Sequence, residues 1–178
     1  MKALITLLSI LFSLQYSFAQ QDFKSKRDSV ALENRLKADK LLSSLKLSDG
    51  PKLLFSIDDQ YYYIITKISE NVYNENFIHT NTSGNILENR SLRSCRKDRK
   101  FLLKVNPFDY SKYNTHLITE VPDAKYVEGK PSYFVVKDEK SQRYGEFSLS
   151  TFTIPSPING NLYGYLIRKL SEEMQKDK

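Results

Sequence analysis

The sequence has no tryptophan, one cysteine, two histidines and two methionines, and only six glycines and six prolines in 178 residues. A single cysteine, Cys95, cannot close an internal disulfide. The small stapled scaffolds of secreted proteins are therefore excluded, and the core must hold by packing. His79 and His116 stand in no H-x-H or H-x-x-x-H spacing, and nothing in the sequence selects a mixed histidine–carboxylate metal site. Calcium loops, with their regularly spaced oxygen ligands, are also missing. There is no G-x-S-x-G, H-E-x-x-H, G-x-x-x-x-G-K or G-x-G-x-x-G. Asp58-Asp59, Asp138-Glu139 and Glu172-Glu173 are neighbours in sequence, and on an extended backbone adjacent side chains point apart, so none is a ready acid/base pair. No cofactor or metal is expected. The lack of tryptophan weakens a sugar-stacking role for the many tyrosines.

Residues 1–19, MKALITLLSILFSLQYSFA, have the pattern of a secretory signal peptide. Lys2 precedes an apolar run, and Ser17 and Ala19 occupy the small-residue positions of a cleavage site, so a mature chain starting at Gln20 is expected. No cysteine follows that site, so a lipoprotein anchor is not expected. Beyond it no apolar stretch approaches the roughly 20 residues of a membrane span. Loss of Lys2 lowers the formal charge from +6 to +5, too small an excess for a dedicated nucleic-acid binder. One cysteine in an exported chain fits a bacterial periplasmic or secreted protein better than an animal one.

Residues 20–178 suit one α+β domain: an antiparallel sheet of about seven short strands flanked by an N-terminal and a C-terminal helix. Leu32, Leu36, Leu41, Leu42 and Leu45 recur at helical spacing between Asp22 and Leu47, and Ser48-Asp49-Gly50-Pro51 stops that helix. Leu53, Phe55 and Ile57 alternate as in a half-buried strand. After Asp58-Asp59-Gln60, the run Tyr61–Ile68 is apolar at both parities, so the two form a hairpin whose second strand is covered on both faces. Val72–Thr80, a return strand from Ile86, Phe101–Val105, Leu117–Val121, Tyr133–Val136 and Arg143–Thr151 complete the set. Tyr133–Val136 reads as a second inner strand. Arg143–Thr151 reads as a strand with Phe147 and Leu149 inward and Glu146, Ser148 and Ser150 on a wet face. Ile158, Leu162, Leu166, Leu170 and Met174 step by four in a last helix, capped by Ser156 or Asn159. Gly160 and Gly164 there suggest either weakness or close packing on the sheet.

The most conspicuous local feature is Arg90–Lys104, RSLRSCRKDRKFLLK, with seven cations and one acid, Asp98. Arg93, Arg96, Lys97, Arg99 and Lys100 are the candidate anion- or partner-binding residues, and the surroundings of Cys95 favour a thiolate. A solvated loop or a charged edge strand accounts for the same composition. The sequence therefore points to an exported, non-enzymatic binding or accessory protein. Its expected partner is an anionic glycan, a lipid headgroup or an envelope protein, and not nucleic acid. Two other readings are a small secreted or periplasmic hydrolase and an interaction module docking through its N-terminal helix. A deep pocket joining a histidine to carboxylates or to Cys95 would favour the hydrolase. A shallow cationic or tyrosine-rich face would favour binding.

Overall fold

A computed structural model describes residues 24–122, 125–126 and 129–176. The expected signal peptide and its cleavage site lie outside the described residues. The described residues begin with a helix over residues 24–44, here α1. Four strands follow: β1 (Lys52–Ile57), β2 (Tyr61–Ser69), β3 (Val72–Thr80) and β4 (Ile86–Leu92). Helix α2 (Arg96–Val105) and a 3-10 turn at Tyr110–Lys112 lead to β5 (Leu117–Ile118), β6 (Lys125–Tyr126), β7 (Pro131–Lys137), β8 (Arg143–Ser150) and β9 (Thr153–Ile154). The described chain ends in α3 (Gly160–Met174). Seven strands form one sheet in the order β4-β3-β2-β1-β7-β8-β5, antiparallel except for the β5–β8 pair, while β6 and β9 make a separate two-stranded ribbon. This is the expected α+β architecture, with strands in succession rather than alternating with helices.

Strand β1 lies at the centre, paired to β2 on one side and β7 on the other. The three-residue turn to β2 places Asp58 and Asp59 at φ of 62° and 52°, a left-handed conformation that aspartate tolerates better than most residues. On one face Leu53, Phe55, Tyr63, Ile65, Phe77, Phe134 and Phe147 pack against Leu162, Leu166 and Leu170 of α3 and Leu102 of α2. On the other, Leu54, Tyr62, Ile64, Ile78, Tyr133 and Val135 pack against Ala38 and Leu41 of α1. The inner positions expected for Tyr61–Ile68 and Tyr133–Val136 are those observed.

Several expectations are corrected. Strand β1 is not half-buried: Leu54 and Ser56 are as enclosed as Phe55, because α1 roofs the second face. The same roof covers part of the face of β8 expected to be wet: Glu146 is buried against Arg35 of α1, while Ser148 and Ser150 are half-buried. Of the expected leucine stripe of α1, Leu41 is buried and Leu42 and Leu45 pack beside it, but Leu32 and Leu36 are exposed, and in that first half Ala31, Asn34 and Ala38 are the buried positions. Small alanines let the helix sit close, while Asn34 shares a 3.0 Å hydrogen bond with Ser148. Finally, Phe101–Val105 is the second half of α2, not a strand. Five residues alternate equally well in either structure. The cap decides, with Leu102 buried one turn beyond the buried Asp98.

The short-strand expectation at Leu117–Val121 shrinks to two residues. The glycines of α3 are not packing contacts, since a Cβ at Gly160 or Gly164 would meet nothing within 4 Å.

Candidate functional site

The cationic segment divides at the end of β4. Arg90 stays on the strand, its Nε 2.6 Å from Glu88 and its guanidinium 4.9 Å from the centre of the Phe77 ring, with Glu173 at 3.4 Å. It braces the edge of the sheet. Arg93 is exposed in the link that follows, and α2 then carries Arg96, Lys97, Arg99 and Lys100, all exposed. Among the described residues none of these five is paired with an acid. The structure therefore brings the five candidate residues together on one short helix and its lead-in, while Arg90 belongs to the sheet edge.

Helix α2 starts at Cys95, whose Sγ accepts from the Asp98 N–H at 3.4 Å while the thiol donates to Asp98 Oδ2 at 3.2 Å. This is a reciprocal cap in which the acid also complements the positive end of the helix dipole. Cys95 is exposed rather than buried and serves as that cap. The cap turns Asp98, the one acid of the segment, inward. There Lys169 donates to Asp98 Oδ2 at 3.0 Å and Arg168 to Oδ1 at 3.4 Å. The neutralising charge that the sequence places among the cations is thus spent on α3. Arg96 and Lys97 occupy the first turn, where the dipole disfavours cations. An anion bound there would relieve both repulsions.

Behind α2 lies a buried network centred on Glu75 of β3, which has no exposed surface. It accepts from the hydroxyls of Tyr63 and Ser94, with Tyr165 at 3.4 Å and the Lys169 ammonium at 3.7 Å. Burial pushes the Glu75 carboxyl above its ordinary pKa, against the pull of Tyr63 and Lys169. For Asp98 burial acts upward too, but Lys169 and Cys95 outweigh it and hold the pKa low. For Lys169 burial acts downward, and Asp98 and Glu75 outweigh it, so the ammonium is held above its usual value. Sequence reasoning missed this network, although its signals were present. Tyr73, Glu75 and Phe77 share one strand parity, which marks Glu75 as facing the core. Lys169 lies seven residues after Leu162, on the apolar side of α3.

Between α2 and α3 runs an open groove of about 550 Å3, lined by Cys95, Lys97, Phe101, Gly164, Tyr165 and Arg168, among others. The Phe101 and Tyr165 rings stack at 4.6 Å, and Arg168 lies 5.3 Å from the centre of the Tyr165 ring.

The remaining candidates are not assembled into a reactive centre. His79 lies flat against Tyr61, ring centres 4.5 Å apart, in a shallow cleft with Asp58 and Lys130, which pair with each other. His116 is exposed before β5, and Cys95 is in the other groove. Among the described residues no three of His, Cys, Asp or Glu gather as metal ligands. Among the described side chains the tyrosines are buried or half-buried, with Tyr61, Tyr110, Tyr113 and Tyr144 keeping part of their surface. Searches of family models, curated proteins and solved structures found no match to this chain.

Proposed function

We propose that this chain is an exported, non-enzymatic binding protein that holds an anionic group of the envelope or exterior on Arg93, Arg96, Lys97, Arg99 and Lys100. The observation that carries the reading is the inward turn of Asp98, which leaves the outer face of α2 cationic and unneutralised. Export rests on residues 1–19 alone. No described helix is long and apolar enough to cross a membrane, which agrees with the expectation of no integral span.

Heparin is a suitable probe of the face. It should raise the melting temperature at low salt by mass action. The gain should fade toward 1 M salt, where the Debye length falls to about 3 Å. The variant R93Q/R96Q/R99Q/K100Q should fold, since surface changes shift stability by about 0.5 kcal/mol each, and should lose the response. A response that survives in the variant would place the site elsewhere, and none in either protein would reject the reading. Export is checked separately: protein recovered outside the cytoplasm should begin at Gln20.

A further inference from the structure

We infer that the groove between α2 and α3 is a second binding site, sharing only Lys97 with the cationic outer face, for a small amphiphile with one anionic headgroup and an acyl chain. Its length comes from α3. The lining residues Asn161, Gly164, Tyr165, Arg168 and Glu172 follow one stripe of the helix. Eleven residues of rise make that stripe about 16 Å long, the reach of a medium acyl chain. Its width comes from Gly164, where a side chain would project into open space rather than into protein. The floor is the Phe101–Tyr165 stack.

Charge decides the headgroup. Four charged side chains line the groove, and three are satisfied within the protein. Asp98 is held by Lys169, and Arg168 bridges Asp98 and Glu172, the latter at 2.7 Å. Of the four, only Lys97 has no acid partner among the described residues. One uncompensated cation beside an apolar floor complements one anionic head on an apolar tail, while a polyanion is better served by the outer face.

Cys95, the only thiol in the chain, lies in the groove lining and reports on occupancy. Decanoate, below its micelle concentration, should slow maleimide labelling of Cys95 in the full chain by about tenfold once its concentration is about ten times its dissociation constant. Decanol and acetate should protect several-fold less, since each lacks one half of the match. Lys97→Gln should weaken protection by decanoate. Gly164→Leu should abolish it, because leucine is a good helix former whose Cβ meets nothing within 4 Å and whose remaining carbons extend into the groove. The heparin response of Gly164→Leu should stay that of the parent, so the groove and the outer face can fail independently. Absence of decanoate protection, equal protection by decanol, or protection that persists in Gly164→Leu would each overturn the inference.

Discussion

At the scale of single residues, the molecule's unusual investment is the set of ionisable groups under α2. Asp98 and Glu75 lie close to the same ammonium, yet their pKa values move in opposite directions. Glu75 is enclosed, and its hydrogen bonds do not repay the loss of water. Asp98 sits at the edge with a full-strength partner in Lys169. The two carboxyls should therefore give opposite pH signatures. The folded pKa of Asp98 is depressed, so its contribution is present above its unfolded value near 3.8 and lost as pH falls through the folded value. The stability gap between the parent and Asp98→Asn should widen as pH rises through this window. The folded pKa of Glu75 is raised, so its contribution is full below 4.5 and declines as pH rises through the folded value. The gap between the parent and Glu75→Gln should shrink with rising pH. Urea titrations at a series of pH values would show this, and gaps of the same slope would contradict the assignment. Asp98→Ala at neutral pH should cost about 2 kcal/mol, since it removes a charged hydrogen-bond partner of Lys169, which is left with Glu75 at 3.7 Å.

At the scale of elements, helix α1 shows how little a leucine stripe constrains orientation. Leu32 and Leu36 point outward while Ala31 and Ala38 touch the sheet. Polar tethers set this phase. Arg35 donates to both oxygens of Glu146 at 2.8 and 2.6 Å, Lys137 donates to Asp39 at 2.6 Å, and Lys37 to Asp59 at 3.1 Å. The leucine phase and the observed phase make different predictions. Leu32→Gln and Leu36→Gln should each change stability by no more than about 0.5 kcal/mol. Ala38→Leu, inserted into a closed contact, should cost about 1–3 kcal/mol. The reverse ranking in thermal or urea melts would mean that α1 sits on its leucine face. Helix α3 supplies a gain instead. Gly164→Ala should stabilise by roughly 0.5–1 kcal/mol, since the position is helical and the added methyl meets no neighbour.

At the scale of the whole molecule, the sheet is enclosed by α1 on one face and by α2 and α3 on the other, and its centre is β1. Amides of β1, β2 and β7 should exchange slowest with solvent, because each of these strands is paired on both sides and covered on both faces. Faster exchange there than in β4 would show a misplaced core. The open edge is β4, shielded from pairing with other chains by Glu88, Arg90 and a register shift opposite His79 and Thr80. The charged-edge explanation of the cationic segment thus holds for Arg90, while the rest of the segment belongs to a helix.

What the sequence by itself determined is local and periodic. Two strands apolar at both parities had to lie inside, the first helix had to stop before Gly50-Pro51, and the last helix had one apolar face. These follow from backbone geometry and from side-chain spacing along one element. What the tertiary structure decided is which neighbour covers each face. Glu146 is buried because α1 crosses β8, and Ser56 because α1 roofs β1. Phe101–Val105 is helical because Cys95 and Asp98 cap the turn before it and Leu102 has a core to enter. The meaning of the cationic segment was decided in the same way. Its composition was plain from the residues, but whether Asp98 neutralised its neighbours depended on Lys169, 71 positions away. An ion pair between distant residues leaves no period in the chain, and only the packing of α3 against α2 creates it.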